Sequence, residues 1–597
     1  MTARCDDSSN SPLKAWVRAL EMTAPISRNP LVTLPTRIGE LADKFGSAVA
    51  LISDGESLTY RQLAQRCNRY ARWALEEGIA AGDVVCLMMA NCPDYVAIWL
   101  GVTRTGGIVS LINTHLVGDS LAHAINIVAP QHVIIGAEFA TVFAAVRPRL
   151  RGVKCWVQGA GQHGLPDFGA AVYGISEDAI PNSQCPLPSI TDRALYIYTS
   201  GTTGLPKAAI VSHYRLMQWS YWFAGLLDTR SADRMYNCLP MYHSIGGIVA
   251  IGAPLVNGGS ILLRQGFSAR NFWDDVVTWD CTLFQYIGEL CRFLVQSSSH
   301  PRESGHRIRL CCGNGLRGEI WEQFKQRFRI PQILEFYAAT EGNFSLYNCE
   351  GKPGAIGRIP SFLAHRFPIA LVRIDTETGE PVRDAAGFCE ACSTNEVGEA
   401  VSKMSENPMV AGGRFEGYTD LAASERKVLR NVFVTGDAWF RSGDLMRRDS
   451  AGFFYFVDRV GDTFRWKGEN VSTTEVAEVV SNCSGVIDSI VYGVAIPGSE
   501  GRAGMAAVVC TEAFDLGEFE RHVAERLPDY ARPVFVRILG QIVMTSTFKP
   551  KKQEFARAGF DPQATTDPIY VRDRDSARYV RLDAKMFTRI QGGAMRL

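Results

Sequence analysis

The sequence predicts an α/β protein, and three observations point there. Apolar runs of strand length alternate with amphipathic helical stretches from about residue 48 onward. Turn residues separate these segments at short intervals. At 597 residues the chain is too long for one ordinary core, so several subdomains are expected. Alternating strands and helices imply parallel sheets covered by helices on both faces.

Taken in order, Ser11-Pro12 reads as an N-cap and first helical residue, with Leu13, Trp16, Val17 and Leu20 on one face between Lys14 and Arg18. A helix docked on the core is favoured here over a helix lying on a membrane surface. Thr59 and Gln62 form a capping box, and Leu63, Cys67, Tyr70, Ala71 and Ala74 continue as a helical face that stops at Gly78. Next come a strand at 84–88, a helix at 93–105, a strand at 108–112, a helix at 119–128 and a strand at 133–135. The longest uncharged run, 245–263, contains Pro254, Asn257 and five glycines, which predicts a buried helix, turn and strand rather than a membrane span. Later segments predict a helix at 319–328, a hairpin arm at 452–456, a helix at 474–481 and a strand at 486–494.

Composition narrows the function classes. Acidic and basic side chains balance at 62 each, so the basic excess of a dedicated nucleic-acid binder is missing. Sixteen cysteines at irregular spacings suggest a reduced, cytoplasmic protein more than a disulfide scaffold. Cys389 and Cys392 form a lone Cys-x-x-Cys, read as two semi-buried thiols on a strand edge rather than a zinc site.

The most informative stretch is Tyr198-Thr199-Ser200-Gly201-Thr202-Thr203-Gly204-Leu205-Pro206-Lys207, which follows an apolar run. Small residues let backbone N–H groups close around anionic oxygens, hydroxyls donate further hydrogen bonds, and Lys207 adds a positive charge. It is not a Walker A loop, since Pro206 stands where the second glycine belongs and Ala208 follows the lysine. The stretch resembles the phosphate-binding motif of the adenylate-forming superfamily, which includes acyl-CoA synthetases, nonribosomal peptide adenylation domains and luciferases. Further motifs extend the resemblance. Tyr242-His243 matches the histidine motif that borders the acyl pocket, with Gly246 and Gly247 in the lining that follows. The run from Phe284 to Leu290 resembles the very-long-chain acyl-CoA synthetase and fatty-acid-transport-protein branch.

Gly313-Asn314-Gly315-Leu316-Arg317-Gly318 also fits a dinucleotide fingerprint, with Glu335 near the acidic position. Its mid-chain place and the run Tyr337-Ala338-Ala339-Thr340-Glu341 that follows it count against that reading. The run resembles the superfamily's Tyr-Gly-x-Thr-Glu motif. That resemblance assigns Tyr337 to adenine, Thr340 to the α-phosphate, Glu341 with Thr202 to Mg²⁺, and the Gly313 to Gly315 turn to the adenine wall.

By the same resemblance Asp444 takes the ribose hydroxyls, Arg459 the ribose and phosphate, and Lys467-Gly468 the pantetheine tunnel, while Lys549 is the catalytic lysine of the first half-reaction. The implied architecture is a large N-terminal domain (46–458) of βαβ-type sheets plus a distorted β-barrel, and a small mobile α+β C-terminal domain (459–597) that swings on a hinge near Gly461. Residues 1–45 form an extension. The implied reaction joins a long- or very-long-chain fatty acid to coenzyme A through an acyl-adenylate, with ATP, Mg²⁺ and coenzyme A as co-reactants and no nucleic-acid partner. Two alternatives stay open: a ligase that hands its acyl-adenylate to a carrier protein, and a fatty-acid uptake or binding protein. The expected location is cytoplasmic, with peripheral contact at the inner face of the membrane as an option. A homodimer is one option for assembly.

Overall fold

The computed structural model describes residues 11–150, 152–159, 161, 164–200, 205–375, 378–405, 415–460, 462–466, 469–497, 501–542, 552–573 and 578–595. Two compact units account for the chain: 1–368 with 404–428, and 369–403 with 429–597.

The first unit holds two sheets whose interior strands are all parallel. In one, the order runs Lys154–Gln158, His132–Gly136, Val84–Met88, Ile108–Leu111, Arg193–Ser200, Pro206–Ser212, and only the last strand is antiparallel to its neighbour. In the other, Gln332–Ala338, Leu310–Asn314, Leu283–Ile287, Arg234–Asn237, Ser260–Leu263 and Val49–Ile52 lie parallel, with antiparallel edges at Ser345–Asn348 and Ser57–Thr59. The strand and helix alternation read from the sequence is the pattern observed. The capping box is formed, with Thr59 and Gln62 each satisfying the other's backbone N–H. The helix Pro93–Arg104 is buried on nearly every face, which explains why its sequence is apolar without a polar stripe.

The run 245–263 folds as expected, into a π-helical turn Ile245–Val249, a helix Ala250–Leu255 and a buried strand Ser260–Leu263. Among the described residues no helix is long and apolar enough to cross a membrane. The N-terminal helix Pro12–Thr23 also forms, but its buried stripe is Ala15, Trp16 and Ala19, while Leu13 (53%) and Val17 (39%) are exposed. Trp16 meets the rings of Trp222, Tyr347 and Phe367 edge-on at 5.6–5.8 Å. Gly225 explains the choice of face: a Cβ there would stand 2.5 Å from the Ala19 backbone, so glycine lets the two helices touch along the alanine side.

In the second unit, Ile369–Val372, Val397–Lys403, Ala438–Arg448 and Phe453–Arg459 form an open antiparallel sheet where the expected distorted barrel falls, with no closing pair among the described residues. A second sheet, Val486–Ala495, Arg502–Cys510, Phe535–Leu539, Ile569–Asp573 and Arg578–Arg581, packs with the helices Thr473–Ser481 and Leu516–Arg526 around its own core. Cys389 is buried and Cys392 half-buried.

Candidate active site

The phosphate-loop motif is the end of a β-hairpin. Thr199 and Lys207 face each other across Arg193–Ser200 and Pro206–Ser212. The tip, Gly201, Thr202, Thr203 and Gly204, and the side chain of Ser200, lie outside the described residues. Tyr198, first in the motif, is buried: its hydroxyl donates to the Ala124 carbonyl at 2.5 Å and contacts Ser110 Oγ at 2.7 Å. It therefore anchors the hairpin rather than reaching a ligand.

Beyond this hairpin, residues 417–419 pair along the free edge of Pro206–Ser212. Ile210 N donates to Gly417 O at 2.9 Å, and Thr419 N to Ala208 O at 3.0 Å. Glu416 accepts from Ser212 N at 2.8 Å and Ser212 Oγ at 2.5 Å. This strap delivers Tyr418 between the two motifs, where Glu341 and Thr199 both act on its hydroxyl. Burial, with the Glu341 charge beside it, pushes the Tyr418 hydroxyl well up, so it stays neutral. Lys207 Nζ lies 5.8 Å from the Tyr418 ring. Burial holds the Lys207 ammonium below its ordinary value, and Arg426 and Lys427 push the same way.

Tyr337 and Ala338 end the strand Gln332–Ala338, and the Tyr337 ring lies 5.5 Å from Phe344. Thr340 and Glu341 sit in the turn beyond it, where Glu341 is 8% exposed. Three contacts hold that turn. Ser244 Oγ and Thr340 Oγ1 share a hydrogen bond at 3.1 Å, which joins the histidine motif to the Thr-Glu motif. Arg215, buried on the helix His213–Leu227, donates to Glu341 O at 3.5 Å and Gly342 O at 2.6 Å and covers the Trp219 ring at 4.8 Å. Lys427 Nζ stands 3.9 Å from Glu341 Oε1.

Gly313 and Asn314 end the strand Leu310–Asn314, and Gly315 adopts φ 79°, a conformation that favours glycine. A Cβ on Gly313 would meet Tyr286 O at 2.2 Å, and one on Gly288 would meet Gly315 O at 1.8 Å, so two glycines let the turn pack on its neighbour. Glu335 does not serve a ribose. Its buried carboxylate accepts from Tyr286 Oη at 2.5 Å and Leu316 N at 3.1 Å. Burial pushes its pKa up to about 8 against those bonds. The dinucleotide reading thus loses its acidic residue to a bond that pins the turn.

Tyr242 and His243 lie in the loop before the π-helical turn, with rings 4.6 Å apart. Asn91 supports the loop, donating to Leu239 O and Arg264 O and accepting from Met241 N. A Cβ at Gly246 would stand 2.5 Å from Pro240 O, and one at Gly247 1.9 Å from Met241 O. This glycine pair thus lets the turn pack on the loop.

In the second unit, Asp444 and Arg459 are cross-strand partners, with Arg459 Nε 3.6 Å from Asp444 Oδ1. Ser442 Oγ donates to Ala400 O at 2.7 Å and accepts from Asp444 N at 3.0 Å, which sets the Ser-Gly-Asp turn. Asp458, next to Arg459 but on the inward face, bonds Thr473 N at 2.7 Å and Thr473 Oγ1 at 2.9 Å. Gly461, Lys467, Gly468 and Lys549 lie outside the described residues. Sequence reasoning gave no role to Arg215, Ser244, Tyr418 or Lys427. Ser244 adjoins a recognised motif, whereas nothing local marks the other three.

Against known proteins, a family model described as AMP-binding enzyme matches residues 39–401, and one described as AMP-binding enzyme C-terminal domain matches 475–549. Mouse long-chain fatty acid transport protein 1 is 41% identical over 569 residues, covering 94% of this chain and 88% of the relative. Rat long-chain fatty acid transport protein 2 is 38% identical over 585 residues, covering 96% and 92%. The crystal structure of the anthranilate CoA ligase AuaEII in complex with anthranoyl-AMP superposes with a TM-score of 0.76 at 20% identity, covering 89% of this chain and 98% of that one.

Proposed function

Because this chain belongs to the AMP-binding enzyme family, we propose that it activates a long- or very-long-chain fatty acid with ATP and passes the acyl group to coenzyme A. The observation that carries the reading is the strap at 417–427, which pairs with the phosphate hairpin through Ile210 N to Gly417 O and Thr419 N to Ala208 O and brings Lys427 Nζ to 3.9 Å from Glu341, beside Thr340 and Tyr337. It ties a polyphosphate motif to a nucleotide motif within one unit.

A fatty carboxylate is ionised at neutral pH and needs no general base. It needs orientation and charge neutralisation as its oxygen bonds the α-phosphorus and pyrophosphate leaves. Thr340 donates to an α-phosphoryl oxygen, Lys207 and the hairpin tip hold the outer phosphates, and Tyr337 stacks on adenine against the Gly313 to Gly315 wall. Asp444 and Arg459 take the ribose. Glu341 fits a cation site, being a hard carboxylate with an ammonium already 3.9 Å away, and with Thr202 it would hold Mg²⁺, which when bound offsets phosphate charge. His243, Tyr242, Gly246 and Gly247 border the acyl pocket. Lys549 serves adenylation and Lys467-Gly468 the thiol step, exchanged by rotation near Gly461.

The test is a panel of acids of rising chain length, following AMP release and thioester formation with and without coenzyme A. The expected result is thioester and AMP in equal amounts with long acids only when coenzyme A is present. Acyl-adenylate that accumulates and ignores coenzyme A would favour transfer to a carrier protein. Binding of acids without ATP cleavage would favour the uptake reading.

A further inference from the structure

We propose that Lys427 is a second phosphate-contacting lysine, which with Lys207 holds the pyrophosphate that departs in the first half-reaction. This rests on the acid-activation reading above and adds to it a residue from outside every recognised motif.

Position is the first support. Lys427 follows the helix Leu421–Glu425 at the end of the strap whose residues 417–419 pair with 208–210, next to Lys207 itself. Three side chains further secure the strap: Glu416 accepts from Ser212 N, Asp420 from the N–H groups of Ala422 and Ala423, and Ser424 Oγ from Tyr418 N at 2.9 Å. The two lysines are thus carried on backbone segments bonded to each other, and the charge of Lys427 acts on Lys207.

Charge is the second. Lys207, Arg426 and Lys427 gather beside two carboxylates, and one of these, Asp420, pairs with the exposed Arg426 at 3.9 Å. Lys427 is the less exposed cation, at 26% of its side chain, and its 3.9 Å approach to Glu341 exceeds hydrogen-bond distance. Such a pair contributes at most about 1 kcal/mol to stability. Two ammonium groups held close together repel each other, and an incoming polyphosphate relieves that repulsion.

In the step itself a carboxylate oxygen of the acid bonds the α-phosphorus. The bond from that phosphorus to the α–β bridging oxygen breaks, and the electron pair leaves on pyrophosphate. Lys427 and Lys207 neutralise that growing charge, which predicts an effect on the first half-reaction alone.

The test uses the full chain with Lys427→Met and Lys427→Arg, and titrates magnesium pyrophosphate and AMP separately by calorimetry. Lys427→Met should bind magnesium pyrophosphate about tenfold more weakly, the loss expected for one charge-assisted contact, with AMP binding and melting temperature unchanged. Lys427→Arg should restore most of the affinity. In ATP–pyrophosphate exchange the KM for pyrophosphate should rise in the methionine variant, while thioester formation from supplied acyl-adenylate stays the same. Unaltered pyrophosphate affinity, or equal loss of AMP and pyrophosphate, would overturn the proposal. If no acid supports exchange in the unsubstituted chain, the acid-activation reading fails, yet the calorimetric comparison still decides the role of Lys427.

Discussion

Replacing Glu335 by glutamine should make the first unit markedly less sensitive to alkaline pH. The Glu335 carboxyl is buried under the turn that carries Gly315 and Leu316, and its pKa rises from 4.5 to about 8. Below pH 4.5 folded and unfolded chains both hold this proton. Between the two values only the folded chain holds it, so folding stability falls as pH rises and the loss is complete above about pH 8. A shift of roughly 3.5 units at about 1.4 kcal/mol each is on the order of 5 kcal/mol. For a unit of roughly 400 residues the unfolding entropy is about 0.8 kcal/mol/K, so the midpoint should move by about 6 °C. Nine of the 11 tryptophans lie in this unit, so thermal melts followed by tryptophan fluorescence report on it. Glu335→Gln, an uncharged acceptor for Leu316 N, should gain on the unsubstituted chain steadily from pH 5 to about pH 8 and hold that gain at pH 9. A gap that stays constant over that range would refute the burial argument.

Three further outcomes are expected. Lys549→Ala should abolish adenylate formation from acid and ATP yet largely spare thioester formation from supplied acyl-adenylate; equal loss of both steps in a half-reaction assay would remove that role. Gly288→Ala drives a methyl to 1.8 Å from Gly315 O, so the Gly313 to Gly315 turn, proposed above as the adenine wall, must shift. A several-fold rise in KM for ATP should follow, with little change in KM for coenzyme A. Trp16→Ala should cost about 3–5 kcal/mol by urea denaturation, as for other buried aromatics, whereas Val17→Ser on the exposed face should stay within about 0.5 kcal/mol.

The sequence by itself determined what is written in neighbouring residues. Strand and helix alternation, the Thr59 capping box and the helix-turn-strand of 245–263 follow from periodicity and turn chemistry, which act over a few positions. The motifs at 198–207 and 337–341 were legible for the same reason, each being a contiguous run. Tertiary structure decided the rest, because packing pairs residues that no local rule connects. It turned Trp16 rather than Leu13 inward, since only the alanine side of that helix fits against Gly225. It removed Glu335 from the ribose role by bonding it to Leu316 N across 19 positions. Arg215 holds the Glu341 turn from 126 positions away. Tyr418 and Lys427 reach Glu341 only because backbone hydrogen bonds lay their strap along the edge of the hairpin that carries Lys207, a pairing set by the sheet's unfilled edge rather than by any pattern in residues 415–427.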